Sequence, residues 1–402
     1  MDNKYTYGLV CISEKLKKQD KTLAFRAMTR KSFLDWRKKY ADGKCNFSAE
    51  HLLEERIIHN IRLTQQILKH CAINDIFHYR LSSKLFPLIT DTTLNLSIEN
   101  FSNYNSIVAE LKTIGEIAKK HGISISIHPD QFNVLASKRS DVVQKTIREL
   151  NFHAKILDMI GLPQDYSAPI NIHPSVSIHP STKTKDETEE NLREIVDRFY
   201  EGFKQCNEGV QKRLVVENED KGCWNCGNLF MYFHNYCGTQ HKHFYNYCRS
   251  NHGHFFPLTY DNLHDHCNPT NFQDQIVTQE QNVSAFASTW KKNVPVFHFS
   301  WGKEDKIRSH ADYAAENIPV YDMEIAWEIE LKAKDYAIEQ LQNWKEEIHG
   351  KKQIAPKAQA KPRPKPQPKP QPKKQETPDI LKNIDNKDDV YTAYNHVYGI
   401  NT

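Results

Sequence analysis

The chain has 402 residues, of which 26% are charged, and its formal net charge is +4. It contains no run of about 18 apolar residues, which argues against a membrane-spanning helix. Its start, MDNKYTYGLVCISEKLKK, lacks the long apolar core and the cleavage site of a secretory signal. We therefore expect an intracellular protein of a reducing compartment, cytoplasm or nucleus, rather than a secreted one. Its nine cysteines are accordingly expected to be thiols or metal ligands, not a disulfide framework.

The positive charge is concentrated near the end of the chain. Residues 351–374 hold nine Lys or Arg and no acid, and without these nine the net charge of +4 becomes −5. The segment alternates Pro with Lys, which predicts an extended polyproline II linker rather than a helix or strand. We therefore predict one domain over residues 1–349, a linker over 350–377 and a short terminal segment over 378–402. That last segment is predicted to be disordered or a docking motif.

Eight short apolar runs, rich in β-branched and aromatic residues, predict strands. Between them lie segments with helical periodicity, such as HLLEERIIHNIRLTQQILKH and a second amphipathic stretch that ends at Gly161. This alternation predicts strand–helix units and a parallel sheet, and eight such units favour a closed TIM (β/α)8 barrel. The predicted strands cover approximately residues 5–12, 76–82, 123–128, 169–173, 213–218, 256–261, 294–300 and 324–330.

A histidine or carboxylate stands at the downstream end of each of the last six predicted strands. In a parallel barrel these ends meet on one face, where active sites are built from several strands. We therefore expect one pocket that holds three imidazoles and three carboxylates. The six residues are His128, His173, Glu217, Asp261, His298 and Glu330.

Such a pocket has the chemistry of a metal cluster. Imidazole nitrogen and carboxylate oxygen together suit borderline divalent metals such as Zn, Mn, Fe or Co. Burying three carboxylates without partners is costly, and shared cations would remove that cost. His264 forms a D-x-x-H pair with Asp261, while His310 in RSHADY and Asp91 after the second strand are further candidates. Multi-metal pockets of this kind cleave phosphodiesters and also isomerise sugars, so the site alone leaves the reaction open.

Several motifs, in this order, resemble those of UV damage endonucleases over approximately residues 5–345. They are GLVCISEKL, YRLSSKLFPL, SIHPDQFNVLAS, INIHPS, VVENED, YDNLHDHCNP, VFHFSWG, RSHADY and EIELKAKDYAIEQL. The resemblance implies a TIM barrel with up to three divalent ions, manganese favoured and magnesium, cobalt or zinc as alternatives. It implies an enzyme that nicks damaged double-stranded DNA immediately 5′ to UV photoproducts and some other lesions, leaving a 3′-hydroxyl and a 5′-phosphate.

Matching the motifs residue by residue assigns roles within this sequence. The implied metal ligands are the six strand-end residues together with His264, and Asp91 stands where many members have a ligand histidine. Catalytic roles fall to His128, Glu217, His264 and His310. Gln131 and Phe132 match the pair that probes the duplex at a lesion, which fits the ease with which aromatic wedges unstack weakened base steps.

The chain also departs from the family pattern. Val296 replaces a lysine that members commonly carry two residues before the histidine of the seventh strand. Leu9 and Ser13 stand where the family has a tyrosine and an asparagine in its DNA-probing region. Lesion range and affinity are therefore the properties that this sequence leaves most open.

A cysteine-rich stretch lies between Glu217 and Asp261. Its C-x-x-C pair, Cys223 and Cys226, could bind a structural zinc together with Cys237 and Cys248. The later spacing matches no standard finger, so we favour a barrel helix with buried thiols.

Three alternative functions remain open from the sequence. They are an apurinic endonuclease on the same barrel, an enzyme related to sugar-phosphate isomerases, and a damage-binding protein without cleavage activity. We expect a monomer that does not bind membranes, with an unknown protein partner for the C-terminal tail.

Overall fold

The computed structural model describes residues 5–174, 189–234, 255–272 and 275–351. Eight parallel strands form one sheet, and each of them lies inside a range predicted from the sequence. This confirms the predicted TIM barrel. The strands are β1 Tyr5–Val10, β2 His78–Leu81, β3 Ser124–Ile127, β4 Ile170–Ile172, β5 Leu214–Glu217, β6 Leu258–Thr259, β7 Val296–Phe299 and β8 Ile325–Ile329.

Helices follow the strands and cover the outside of the sheet. One long amphipathic helix ends where the sequence predicts, at Gly161, whose positive φ of 89° suits glycine. Outside the barrel, the two-residue strand Asn271–Phe272 pairs antiparallel with Gln275–Ile276. The helices are α1 Glu14–Gln19, α2 Arg30–Ala41, α3 Ala49–Ile73, α4 Tyr104–His121, α5 Ser140–Ile160, α6 Glu189–Lys204, α7 Glu208–Gln211, α8 Cys226–Leu229, α9 Asn262–Cys267, α10 Gln279–Ser288 and α11 Asp335–Lys351.

The ring of strands closes between β6 and β7. The sheet order runs from β6 through β5, β4, β3, β2, β1 and β8 to β7. The two ends are joined by a single parallel bridge between Asp261 and His298, where the His298 amide donates to the Tyr260 carbonyl at 2.8 Å. The seam of the barrel therefore lies at two of the predicted ligand positions.

Side-chain alternation along the strands separates the polar interior from the apolar shell. Because successive side chains of a strand point to opposite faces, Glu328 shares a face with Glu330, and Trp327 points the other way. The Trp327 ring packs on Phe297 at 5.7 Å and on Tyr260 at 6.5 Å between ring centroids. The apolar shell thus holds the strands while the inner face carries the chemistry.

The described part of the chain contains no helix long and apolar enough to cross a membrane. Helix α11 continues to Lys351, two residues past the predicted end of the domain. The remainder of the predicted linker and the terminal segment 378–402 lie outside the described residues.

Asp335 joins three helices at one end of the barrel. Its carboxylate accepts hydrogen bonds from the Ser13 hydroxyl and from the Glu14 amide at 3.0 Å, and it lies 3.0 Å from Nε2 of His70. Burial opposes ionisation of Asp335, but the adjacent His70 imidazole and the hydrogen bond from Ser13 outweigh it and lower the pKa of this carboxyl. A buried, ionised group therefore anchors α1 and α3 to the start of α11.

Replacing this anchor should destabilise the protein in a pH-dependent way. Because the folded-state pKa is lowered, the stabilisation is present above the unfolded pKa of about 3.9 and is lost as pH falls through the folded pKa. Asp335→Asn should lower the free energy of unfolding by about 2 kcal/mol at pH 7. In urea unfolding, this difference from the unmodified protein should shrink at pH 3. An equal difference at both pH values would contradict the assignment.

Candidate active site

Glu217 lies at the centre of the candidate site, surrounded by four imidazoles. Its Oε2 atom is 3.1 Å from Nε2 of His128 and 3.7 Å from Nε2 of His173. The Oε1 atom is 3.1 Å from Nδ1 of His298 and 3.3 Å from Nδ1 of His264. Side chains from three strand ends and the first turn of α9 thus converge on one carboxylate.

Strand ends and a helix cap fix this geometry. His128 and His173 directly follow β3 and β4, and Glu217 ends β5. Asp261 is the N-cap of α9, where its Oδ1 atom accepts the backbone amide of His264 at 2.7 Å. The cap leaves Oδ2 of Asp261 buried and without a hydrogen-bond partner, 3.8 Å from Nδ1 of His298.

The donor set fits divalent cations. Within the described residues, three groups of side chains bring potential ligand atoms to within 4.8 Å of one another. The unpartnered Oδ2 of Asp261 and the buried, unpartnered Nδ1 of His173 are atoms that a bound ion or its water could satisfy. The groups are His128–His173–Glu217, Glu217–Asp261–His298 and His298–Glu328–Glu330.

Backbone carbonyls orient three histidines of the site through their Nδ1 atoms. His128 contacts the Pro129 carbonyl at 2.8 Å, His264 that of Asn218 at 2.8 Å, and His310 that of Glu330 at 3.0 Å. Contacts of this kind fix the ring and the tautomer of a metal-ligating histidine. They leave Nε2 as the nitrogen that can bind or carry a proton.

Mutual electrostatics push the pKa values of the cluster apart. Burial alone would raise the pKa of Glu217, but His298 and His173 outweigh it and hold that pKa well below its usual range. Burial lowers the pKa of His173 to about 4, whereas Asp261 and Glu217 overcome burial and raise that of His264 to about 10. Burial raises the pKa of Asp261. Without cations, protons on imidazoles thus balance part of the buried negative charge.

Glu328, Arg80 and Asn171 belong to the site although the sequence analysis missed them. Glu328 is buried, Arg80 contacts both Glu328 and Glu330, and Asn171 donates to Oε2 of Glu217 at 2.5 Å. The signal for Glu328 was its position two residues before Glu330 on a strand, which places both carboxylates on the inner face.

Two predicted ligands lie at the edge of the cluster or away from it. Asp91 pairs with Arg30 at 2.7 Å and accepts the Thr93 amide at 2.9 Å. It belongs to none of the three ligand groups found in the described residues. His310 lies 3.6 Å from Oε2 of Glu330 and is likewise outside those groups. The structure therefore brings together the six strand-end residues and His264, with His310 beside Glu330 and Asp91 paired with Arg30.

The four predicted DNA-probing residues divide into an exposed pair and a buried pair. Gln131 and Phe132 lie in the turn after β3, and Phe132 is 72% exposed although it is a large apolar residue. Leu9 is fully buried in the core, and Ser13 is buried, where its hydroxyl caps α1 and donates to Asp335. Direct contact with DNA is therefore open to Gln131 and Phe132 in this conformation and closed to Leu9 and Ser13.

The predicted zinc ligands are only partly described. Cys223 and Cys226 are buried, and the Cys226 thiol lies 3.6 Å from Oδ1 of Asp265. Burial and the neighbouring Asp265 raise the pKa of Cys226 well above its usual value, which disfavours the thiolate that zinc requires. Cys237 and Cys248 lie outside the described residues.

An eight-stranded parallel barrel with a histidine–carboxylate cluster at its carboxyl-terminal rim defines a TIM-barrel protein with a metal-type active site. The family model "UV-endonuclease UvdE" matches residues 5–234, and the chain belongs to this family. This confirms the resemblance of the motifs. It makes the protein a DNA repair endonuclease of the UV-damage class.

Relatives and a solved structure agree with this assignment over most of the chain. A UV DNA damage endonuclease of Nostoc sp. is 27% identical over 84% of this chain and 89% of its own length. One of Bacillus cereus strain B4264 is 26% identical over 82% of this chain and 92% of its own length. The crystal structure of SacUVDE shares the fold, with a TM-score of 0.63 at 22% identity, covering 86% of this chain and 99% of that chain.

The central position of Glu217 generates a prediction for the isolated protein. A bound divalent cation should raise the unfolding temperature, because a ligand that binds only the folded state stabilises it. Glu217→Gln retains the size of the side chain but removes the charge shared by the ligand groups. It should fold and yet lose most of the stabilisation by Mn²⁺ in thermal unfolding. Stabilisation by Mn²⁺ equal to that of the unmodified protein would remove Glu217 from the cluster.

Proposed function

We propose that this protein is a metal-dependent endonuclease that nicks DNA immediately 5′ to UV photoproducts and some other distorting lesions. Its products are a 3′-hydroxyl and a 5′-phosphate. The observation that carries the proposal is the convergence of four imidazoles on Glu217, next to the unpartnered carboxylate oxygen of Asp261. Membership of the UV-endonuclease family supports the substrate.

The ligand groups overlap and therefore suit a cluster of up to three divalent ions, with manganese as the best fit. Glu217 belongs to two groups, so its two oxygens can serve neighbouring ions. When bound, such ions supply an activated water and neutralise charge on the phosphate oxygens. The proposed ligands are His128, His173, Glu217, Asp261, His264, His298 and Glu330.

Other residues of the site control charge and protons. Arg80 contacts Glu330 and Glu328 and neutralises part of the buried negative charge. His310 uses Nδ1 at the Glu330 carbonyl, so its Nε2 atom is the one that can exchange a proton with the departing 3′-oxygen. We assign catalytic roles to His128, Glu217, His264 and His310. Asp91 forms an ion pair with Arg30, and its proposed role is to shape the loop after β2.

Gln131 and Phe132 are the proposed lesion probes. They stand in the turn that begins three residues after His128, so Phe132 is only four residues from a proposed ligand in the sequence. An exposed aromatic ring can occupy the space of a base that stacks poorly. The buried Leu9 and Ser13 act, in this proposal, only through the position of the loop after β1.

A basic surface on the same rim supports a polyanionic partner. Residues 14–44 connect β1 to α3 and contain eleven Lys or Arg and four acids. Within the described residues, six of these basic side chains are exposed and form no ion pair with a carboxylate. Such side chains fit the phosphate backbone of a duplex. They are Lys18, Lys21, Arg26, Lys31, Lys38 and Lys39.

The remaining features of the proposal concern the cell and the tail. The enzyme acts where DNA is accessible, in the nucleus or cytoplasm, as a monomer. The basic Pro-rich linker serves as a spacer between the barrel and the terminal segment, which binds a protein partner.

A nicking assay on defined duplexes tests the function and separates it from its alternatives. Duplexes with one pyrimidine dimer, one abasic site or no lesion are incubated with protein and either Mn²⁺ or EDTA. We expect a single nick 5′ to the dimer with Mn²⁺ and none with EDTA. Cleavage at the abasic site alone would indicate an apurinic endonuclease. An intact dimer duplex that the protein still binds would indicate a damage-binding protein.

Removing the proposed probe should weaken lesion recognition without affecting the metal site. Phe132→Ala should reduce kcat/KM on the dimer duplex by about 5- to 150-fold, since aromatic–base stacking contributes about 1–3 kcal/mol. Stabilisation by Mn²⁺ should remain unchanged. Ile73, equally apolar and exposed at the end of α3, gives the control Ile73→Ala. Equal kcat/KM for Phe132→Ala and this control would exclude Phe132 as a probe.

Charge reversal on α2 should weaken binding of any duplex. Lys31 and Lys38 lie seven residues apart and therefore share one face of the helix. The double variant Lys31→Glu/Lys38→Glu should bind dimer and undamaged duplexes more weakly by a similar factor. The slope of log K against log salt concentration should fall by about 2. Lys119→Glu/Lys120→Glu, at the opposite end of the barrel, is the control, and equal salt slopes in both variants would contradict this surface.

A further inference from the structure

Glu328 is a buried carboxylate with a hydrogen-bond donor on every side. It is 1% exposed and lies in β8, paired in register with His298 of β7. Its Oε1 atom contacts Nε2 of His78 at 3.0 Å and the Ser126 hydroxyl. Its Oε2 atom lies 2.9 Å from Arg80 and 3.1 Å from Nε2 of His298. Four donors from three strands thus hold one carboxylate in place.

His298 differs from the other oriented histidines of the cluster. In His128 and His264 the Nδ1 atom contacts a backbone carbonyl. Nδ1 of His264 also lies 3.3 Å from Glu217, but Nδ1 of His298 faces the carboxylates of Glu217 at 3.1 Å and Asp261 at 3.8 Å with no backbone carbonyl among its described contacts. Its Nε2 atom is directed away from that space, towards Glu328.

A ligand role for Glu328 fits the geometry less well than a supporting role. One group of potential ligand atoms includes Glu328 together with His298 and Glu330. Each of its two oxygens, however, already has two donors. One donor to Oε2 is the guanidinium of Arg80. Arg80 also contacts Glu330, but there it contacts only Oε1, whereas both oxygens of Glu328 have donors.

We propose that Glu328 is a positioning residue that holds His298 as the Nε2–H tautomer and so presents Nδ1 as the metal ligand. This inference rests on the metal dependence stated under the proposed function. A carboxylate behind a ligating histidine fixes its ring and strengthens the ligand nitrogen. Arg80, His78 and Ser126 keep the carboxylate in place and offset its burial.

The variant Glu328→Gln tests this role through metal binding, without DNA. Protein stripped with EDTA is titrated with Mn²⁺ by calorimetry, and the unfolding temperature of the metal-free form is recorded. We expect Glu328→Gln to bind Mn²⁺ at least about tenfold more weakly, because outer-shell partners typically contribute 10–100-fold. Mn²⁺ affinity and stoichiometry equal to those of the unmodified protein would overturn the inference.

Glu54→Gln is a matched control for the burial of a carboxylate. Glu54 is 3% exposed in α3 and accepts from the Ser102 and Asn103 amides, each at 3.0 Å, and none of these contacts involves the cluster. This variant should lose thermal stability but retain Mn²⁺ affinity. An equal loss of affinity in Glu54→Gln would reduce the role of Glu328 to general stability and overturn the proposal.

A spectroscopic measurement on the unmodified protein does not depend on folding of Glu328→Gln. With Zn²⁺ bound and histidines labelled with ¹⁵N, long-range ¹H–¹⁵N spectra distinguish the two ring tautomers. His298, assigned by its absence in His298→Gln, should carry its proton on Nε2. A proton on Nδ1 would overturn the proposal. Should the unmodified protein bind Mn²⁺ and leave dimer DNA intact, the proposed function fails while the role of Glu328 stands.

Discussion

Four carboxylates, those of Glu217, Asp261, Glu328 and Glu330, share one nearly dry end of the barrel. Burying that much negative charge is prohibitively costly unless positive partners accompany it. Arg80 offsets one charge, and imidazolium protons or divalent cations must offset the remainder. The inward-facing residues at this end are therefore determined by charge balance, and the apolar shell around Trp327 supplies the stability that the interior lacks.

The need to balance buried charge also explains why so few polar atoms of the site lack a hydrogen-bond partner. The carboxylate oxygens of Glu217 and Glu328 all have imidazole, amide, hydroxyl or guanidinium donors, so each group has essentially one position. Among the proposed ligands, Oδ2 of Asp261 and Nδ1 of His173 are buried atoms that have no hydrogen-bond partner in the described residues. Preorganisation of this kind lets an ion bind without rearrangement of the protein, and it aligns the phosphate with groups that are already oriented.

Much of this arrangement followed from the sequence, because strand ends of a parallel barrel must meet. The positions of His128 and Glu217 needed only the strand assignments and that rule. Glu328 was missed because it lies within β8 rather than at its end, although side-chain parity with Glu330 indicated it. The partner of Asp91, Arg30, could not be read from the sequence, because it comes from a helix that strand patterns do not position. For Leu9 and Ser13, matching motif positions carried no information on the direction of the side chains, and both point into the protein.

The seam between β6 and β7 joins architecture to chemistry. Its backbone bridge joins Asp261 to His298, which are also proposed ligands, and Asn262 and Ser300 exchange two further hydrogen bonds beside it. In the proposed metal site, an ion bound by both residues would link the two edges of the sheet directly, so metal binding would also strengthen the closure of the barrel.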